Sequence, residues 1–144
     1  MKKLKVGMVA VGRGTIYGNF FSANPITEVV ALCDTDLSKL SKGVEEFNLP
    51  DNKAFDDYSE FIEEDFDIAV IGSPMPAHAS QVCAALSADK HVLCEVTAAS
   101  DLEGCRAVYE AAKKSKGKFI GLVMIVAGVA LVALGVLRKR KKGK

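Results

Sequence analysis

A short glycine-containing segment near the N-terminus has the residue types that bind anions. The apolar run Val6–Val11 predicts a strand, and Gly12, Arg13 and Gly14 come directly after it. A glycine at this point lets the backbone approach a ligand closely. The unpaired N–H groups at the start of the next helix then bind a phosphate. We therefore predict an anion-binding turn, with a glycine turn that binds nothing as the alternative.

An acid at the end of the next apolar run adds a second signal. The run Glu28–Cys33 predicts another strand, and Asp34 comes directly after it, 22 residues after Gly12. In a strand–helix–strand unit an acid at this distance accepts hydrogen bonds from ribose hydroxyls. The glycine turn and the acid together predict a site for the adenosine end of a dinucleotide.

The glycine pattern departs from the usual G-x-G-x-x-G fingerprint. Ala10 and Thr15 stand where the first and third glycines are usual, and Gly14 falls one place early. Gly12 keeps the middle position, which lies closest to the pyrophosphate. We expect Ala10 to make the turn less favourable than glycine would, and Thr15 to push the helix slightly away from the strand.

The charges after the second strand indicate which dinucleotide binds. Asp36 lies two residues beyond Asp34, and no arginine is near them in the sequence. Two carboxylates repel a 2′-phosphate, so we predict NAD rather than NADP. The alternative for Asp36 is a purely structural role as the N-cap of the next helix.

Strand-like and helix-like segments alternate up to residue 118. This order predicts an α/β fold with a doubly wound parallel sheet and right-handed crossovers. The predicted strands are Val6–Val11, Glu28–Cys33, Ala54–Phe55, Ile68–Gly72 and His91–Cys94, and the predicted helices are Ile16–Ala23, Asp36–Phe47, Asp57–Glu63, Ala77–Ala88 and Leu102–Lys114.

Composition and charge exclude several classes of function. Six of the 19 basic residues lie after Leu137 and all 18 acids precede Phe119, so residues 1–118 carry a net charge of −5. An acidic domain of this kind does not predict a nucleic-acid partner. The four cysteines lack the spacing of a zinc site, so we predict no metal and a reducing, cytoplasmic location. The first apolar run is too short for a signal peptide.

The C-terminal part has a different character. Residues 119–137 form an uncharged segment that is long enough for a transmembrane helix, and the basic tail 138–144 comes next. We predict a main domain over residues 1–118, held by this helix on the cytoplasmic face of a bilayer. The alternative is a buried strand that completes the sheet, followed by a core helix.

Glycines recur every seven residues in this apolar run, at Gly121, Gly128 and Gly135. Small residues on one helix face let two membrane helices pack closely, which predicts a homodimer. The alternative is the ordinary composition of membrane helices. The run is also similar to the last helix of small multidrug resistance transporters.

Residues 3–118 resemble the glucose–fructose oxidoreductase/inositol dehydrogenase (Gfo/Idh/MocA) family. Val30–Asp34 is similar to its second strand, and Asp67–Pro74 to its fourth strand and the turn after it, with His78 at the family's histidine. Asp89–Glu95 resembles the stretch before the family's Glu-Lys-Pro, with Asp89 in place of glycine. The resemblance implies a Rossmann domain that binds NAD or NADP in an enzyme acting on sugars, polyols or related hydroxy compounds.

The same resemblance implies which residues lie near the nicotinamide. These are Ser73, Pro74, His78 and Glu95, of which His78 and Glu95 are the candidates for acid–base catalysis. A histidine at this position has a structural alternative, in which it only caps or pairs.

Three departures from the family pattern weaken the case for catalysis. Val96 and Thr97 replace the family's lysine and proline after Glu95, and Met75 replaces its asparagine. Valine cannot transfer a proton. The resemblance also ends at residue 118, without the family's second, substrate-binding domain.

The sequence leaves three hypotheses open. The first is the NAD-binding domain of an incomplete, membrane-anchored oxidoreductase, from a truncated gene product or a fusion. The second is a non-catalytic nucleotide-binding or scaffold module held at a membrane by a self-associating helix. In the third, the domain only stabilises the tail and binds no NAD.

Overall fold

Strands and helices alternate through the computed structural model, which describes residues 2–121. The α/β class predicted from the sequence is confirmed, and every predicted strand and helix is present, most of them with shifts at their ends. The strands are β1 Leu4–Val9, β2 Thr27–Cys33, β3 Ala54–Phe55, β4 Ile68–Ile71, β5 His91–Cys94 and β6 Phe119–Gly121. The helices are α1 Val11–Ala23, α2 Leu37–Phe47, α3 Tyr58–Ile62, α4 Met75–Ser87 and α5 Leu102–Lys114, with a 3-10 turn at Asp51–Lys53.

The six strands form one parallel sheet in the order β3-β2-β1-β4-β5-β6. The chain builds outward from β1 to β3, then returns to place β4 on the other side of β1. The direction of winding therefore reverses between β1 and β4. Ligands of open parallel sheets bind outside the carboxyl ends of the strands at such a reversal. The topology thus places the candidate site at the ends of β1, β2, β4 and β5.

One irregularity interrupts the pairing of β1 with β2. Val6 pairs with Val29 and Gly7 pairs with Ala31, so Val30 is an extra residue in β2. Val30 and Ala31 consequently pack on the same side of the sheet, whereas neighbouring strand residues normally alternate. After this bulge the register continues to the pair Val9 and Cys33.

Helices cover both faces of the sheet. One buried cluster joins the sheet to α3, α4 and α5 and includes Phe61, Leu86 and Val108. The other joins it to α1 and α2 and includes Met8 and Leu40. The central strands are apolar on both sides for this reason, as parallel strands between two helical layers must be.

The beginning of the predicted membrane segment belongs to the sheet. Phe119–Gly121 form β6 and pair in parallel with β5, so the prediction that a transmembrane helix starts at Phe119 is wrong for these three residues. Gly121 is buried in that strand and is not part of a helical glycine face. The sequence alternative, a strand that completes the sheet, describes this stretch correctly.

The rest of the predicted tail lies outside the described residues. This applies to residues 122–137 of the membrane segment, to Gly128 and Gly135, and to the basic residues 138–144. Within residues 2–121, no helix combines the length and the apolar character needed to cross a bilayer.

Candidate functional site

The turn after β1 is tighter than the sequence predicts. Helix α1 begins at Val11, with only Ala10 between it and the end of β1, whereas we predicted a start at Ile16. Gly12 and Gly14 therefore lie in the first turn of the helix and not in a loop. Glycine has a low helix propensity, which hides this turn from a sequence-based prediction.

Ala10 joins β1 to α1 in a left-handed conformation, with φ of 65°. Its N–H donates to the Cys33 carbonyl over 2.8 Å, and its carbonyl accepts from the Gly14 N–H over 2.7 Å. A left-handed conformation costs an L-residue roughly 1–2 kcal/mol. The first glycine of the usual fingerprint avoids that cost. The unfavourable turn predicted for Ala10 therefore results from its left-handed backbone conformation.

The two glycines of this turn face opposite ways. A Cβ on Gly12 would make only ordinary contact with the flexible Lys39 side chain, its nearest neighbour at 3.5 Å. A Cβ on Gly14 would instead point at the sheet, 3.7 Å from the Val9 carbonyl oxygen. Gly12 is exposed and Gly14 is buried. Of the two, Gly12 is the one where a ligand can approach the backbone.

The close approach of α1 to the sheet depends on a glycine that the sequence analysis did not single out. A Cβ on Gly18 would lie 2.5 Å from Phe47 and 2.6 Å from the Met8 sulfur. Thr15, at the usual third-glycine position, donates from Oγ1 to the Val11 carbonyl over 2.7 Å. The helix therefore packs closely one turn beyond the position where the fingerprint would place the contact.

Asp34 lies at the carboxyl end of β2 and connects that strand to the turn. Its Oδ2 accepts from the Val11 N–H over 2.9 Å, and its Oδ1 accepts from the Asp36 N–H over 3.0 Å. Each carboxylate oxygen can accept a second hydrogen bond. Asp34 can therefore hold the turn and still receive ribose hydroxyls.

Asp36 caps α2, as the structural alternative predicts. Its carboxylate accepts from the Ser38 and Lys39 N–H groups, and the hydrogen bonds from Ser38 lower the pKa of Asp36. Lys39 lies within the first turn of the helix, with its Nζ 3.4 Å from the Asp36 carboxylate. Lys39 also faces Gly12, so a cation does stand at this edge, although the sequence near Asp34 contains no arginine. The position of Lys39, three residues after the helix cap Asp36, is the sequence signal from which this cation could have been predicted.

Three predicted residues meet at the end of β4. Ser73 is buried and donates from Oγ to Gln81 over 2.5 Å, and Pro74 comes next at the start of α4. His78 is only 1% exposed. Its ring nitrogens lie 2.6 Å from the Ser73 carbonyl oxygen and 2.5 Å from the Thr97 carbonyl oxygen. His78 is thus engaged with the backbone on both sides.

Glu95 lies at the end of β5 and faces α1 across the reversal point. The Arg13 guanidinium is 3.4 Å from its carboxylate, although the two residues are far apart in the sequence. Arg13 is largely exposed, so this ion pair contributes little to stability. It does bring the turn after β1 and the end of β5 to the two sides of one cleft.

Two adjoining cavities lie along this edge, of about 610 and about 180 Å³. Gly14, Thr15, His78 and Glu95 line neither of them, whereas the other predicted site residues line one or both. The larger is lined by Ala10, Gly12, Arg13, Asp34, Thr35, Lys39, Gly72, Pro74, Met75, Pro76 and Val96. The smaller is lined by Val9, Ala10, Cys33, Asp34, Thr35, Asp56, Tyr58, Ser73, Pro74, Ala77 and Gln81.

The thiols and the phenol near the cleft are largely buried, and carboxylates lie close to both thiols. Burial raises the pKa of Cys33 to about 12 and that of Cys94 to about 12. Burial also raises the pKa of the Tyr58 phenol, which donates to the Gln81 carbonyl over 2.7 Å. Among residues 2–121, no three His, Cys, Asp or Glu side chains gather as a metal site requires. The described cleft therefore offers backbone donors and carboxylates, which suit a nucleotide, and no reactive thiolate.

Curated relatives of the chain include an inositol dehydrogenase and a glycosyl hydrolase family protein. The chain is 30% identical over 117 residues to inositol 2-dehydrogenase of Pseudomonas savastanoi pv. phaseolicola, covering 81% of this chain and 31% of that protein. It is 28% identical over 125 residues to a glycosyl hydrolase family 109 protein of Shewanella woodyi, covering 81% of this chain and 27% of that protein. The chain thus spans about a third or less of these relatives.

Solved structures share the same fold. Apo scyllo-inositol dehydrogenase from Lactobacillus casei matches with a TM-score of 0.79 and 25% identity, over 85% of this chain and 37% of that one. The same enzyme with bound NAD(H) and scyllo-inositol matches with a TM-score of 0.83 and 23% identity, over 98% and 42%.

The sequence profile described as "Oxidoreductase family, NAD-binding Rossmann fold" (GFO_IDH_MocA) matches residues 4–121. This range contains the turn after β1, Asp34 and the ends of β4 and β5. Together with the reversal of winding between β1 and β4, the match identifies the chain as a member of the Gfo/Idh/MocA family of NAD-binding oxidoreductases.

Proposed function

We propose that the cleft at the carboxyl ends of β1, β2 and β4 binds NAD, and that the domain serves an oxidoreductase acting on a polyol or sugar of the inositol type. The observation that carries the proposal is the pairing of Gly12 and Asp34. The open backbone of Gly12 and the carboxylate of Asp34 line the same cavity. NAD supplies the hydride acceptor when it is bound, and this chain supplies the shape and charge of its site.

The residues present fit the adenosine diphosphate part of that cofactor. The Gly12 and Arg13 N–H groups lie in the first turn of α1, where a helix offers donors without partners in the helix. Nothing fills the space over Gly12 except the Lys39 side chain. A diphosphate can therefore contact these N–H groups, while Arg13 and Lys39 add positive charge at its two sides.

The nicotinamide part lies, in this proposal, between Pro74 and Glu95. Met75 and Val96 occupy this end of the cleft, and both side chains are exposed. Neither can exchange a proton. Glu95 lies next to Val96 at the rim of this end, so it is our candidate for the acid–base step, and its partner Arg13 orients it.

A direct test is a calorimetric titration of the full chain with NAD, using two matched variants. Asp34→Asn keeps the shape of the side chain but leaves one acceptor oxygen for two backbone donors and the ribose. We expect a loss of at least tenfold in affinity, since one hydrogen bond to a charged group is worth about 1.5–3 kcal/mol. Asp36→Asn makes the same chemical change two residues away. Asparagine caps helices well, so this variant should bind NAD almost normally.

Equal affinities of the wild-type protein and Asp34→Asn would overturn the site. Equal losses in both variants would show a general electrostatic effect and no specific ribose contact.

The second candidate function is a non-catalytic nucleotide-binding module. The exposed valine and methionine in the cleft favour it, because they replace the family's lysine and asparagine. Measuring NADH formation with myo-inositol, scyllo-inositol and a panel of sugars separates the two candidates. Turnover supports the oxidoreductase, whereas NAD binding without turnover of any of these compounds supports the module.

A further inference from the structure

His78 is the one buried polar ring at the edge of the cleft, among the described residues, that touches two separate loops. Its Nε2 lies 2.6 Å from the Ser73 carbonyl oxygen, in the turn between β4 and α4. Its Nδ1 lies 2.5 Å from the Thr97 carbonyl oxygen, in the loop between β5 and α5. The side chain is almost fully removed from solvent. A single ring therefore connects the two loops that extend from neighbouring strands.

Both partners of the ring are acceptors. A neutral imidazole has one N–H and one bare nitrogen, so it can donate to only one carbonyl, and its second nitrogen would face an oxygen lone pair. An imidazolium donates from both nitrogens and satisfies both contacts.

The two carbonyls stand next to residues that line the larger cavity. Pro74 comes directly after Ser73, and Val96 directly before Thr97, and both Pro74 and Val96 line the cleft. The Ser73 hydroxyl is engaged with Gln81, so its loop is held from two sides. The width of the cleft between Pro74 and Val96 is thus set by the distance that the His78 ring spans.

We infer that His78 is a positioning residue, which as an imidazolium ties the β4–α4 turn to the β5–α5 loop and so holds the nicotinamide end of the cleft at its binding width. It acts through the backbone and does not touch the cofactor. The inference rests on the proposed NAD site for its effect on binding, but the protonation of the ring can be measured without NAD.

The chain contains two histidines, which makes the measurement simple. His91 is the internal reference, because its Nδ1 accepts from the Lys118 N–H over 3.0 Å and so carries no proton. Long-range proton–nitrogen NMR correlations of the full chain at neutral pH should show one ring with two protonated nitrogens and one ring with a single protonated nitrogen. The variant His91→Gln assigns the signals. A bare nitrogen in the His78 ring would overturn the inference, whether or not the protein binds NAD.

The second arm measures NAD affinity in the folded protein. His78→Gln retains a donor for only one carbonyl, and we expect its dissociation constant to rise at least tenfold. His91→Gln is the matched control, and its dissociation constant should stay within about twofold of wild type. An unchanged affinity in a folded His78→Gln would also overturn the inference. Should His78→Gln fail to fold, the NMR result on the wild-type protein decides. Absence of NAD binding in the wild-type protein would refute the proposed function instead.

Discussion

Gly12→Ala should make the protein more stable and a weaker NAD binder at the same time. Gly12 is the second residue of α1, and the space around its Cβ position is open apart from Lys39 at 3.5 Å. Exchanging glycine for alanine inside a helix stabilises it by up to about 1 kcal/mol. For Gly12 we expect a gain in the free energy of unfolding of at least about half that value, since helix propensity has a smaller effect in the first turn than in the helix interior. The urea midpoint of unfolding should rise accordingly.

The same methyl group occupies the space through which a diphosphate would reach the backbone. Displacing a phosphate oxygen from one N–H donor loses a charge-assisted hydrogen bond, worth about 1.5–3 kcal/mol. Since about 1.4 kcal/mol corresponds to a factor of ten, the dissociation constant for NAD should rise roughly tenfold to a hundredfold. Calorimetric titration of the wild-type protein and the variant measures this change.

Gly14→Ala is the control for this pair of effects. It lies two residues along the same helix, its Cβ would make ordinary contacts with Val9 and Met8, and it points toward the sheet. We expect a similar gain in stability with unchanged affinity for NAD. If both alanine variants lose affinity equally, the assignment of Gly12 as the point of phosphate contact is refuted, and the effect belongs to the helix as a whole.

Three further predictions concern the same edge of the sheet. Ala10→Gly should stabilise the protein by about 0.5–1 kcal/mol, because it removes the left-handed strain at φ of 65° and this gain exceeds the entropic cost of glycine; urea unfolding measures it, and a loss of stability would contradict the strain argument. NAD should bind more tightly than NADP in parallel titrations, because the Asp34 and Asp36 carboxylates oppose a 2′-phosphate, whereas tighter binding of NADP would mean that Lys39 dominates. Cys33 and Cys94 should resist a thiol reagent at about pH 8 in the folded protein, since burial holds each pKa at about 12, far above that pH, and keeps the thiolate form scarce; the exposed Cys105 should react first, and rapid reaction of all four thiols would show that the core is open.

The sequence predicted those features whose cause is local. Apolar runs marked the strands because the sheet is covered on both faces, and the periodic face of residues 102–114 marked α5 at its observed ends. The role of Asp36 as a cap also results from its own position before a helix. Asp34 stood out because its distance from the glycine turn is fixed by the length of one helix and one strand.

The features that the sequence did not predict depend on contacts between distant segments. The pairing of Arg13 with Glu95 and the two contacts of His78 require the order of the strands, which no local pattern contains. The start of α1 was placed late because two glycines obscure its first turn. The predicted transmembrane helix wrongly included Phe119–Gly121, which form β6. Hydropathy alone cannot separate an apolar edge strand from the apolar residues that follow it in the sequence.

The extra residue in β2 has a consequence for anyone who aligns or recombines this chain with a related one. Strand residues alternate between the two faces, so a shift of one position exchanges the faces of everything beyond it. Val30 supplies that shift midway along β2, shortly before the acid at its end. Ala31 lies opposite Gly7 and Cys33 opposite Val9, so a relative that lacks the insertion aligns correctly only with a gap at Val30. Aligned without that gap, its counterpart of Asp34 would be compared with Cys33. Gaps in an alignment within residues 29–31 therefore decide which side chain is compared with which at the nucleotide edge, and a chimera should be joined outside that interval.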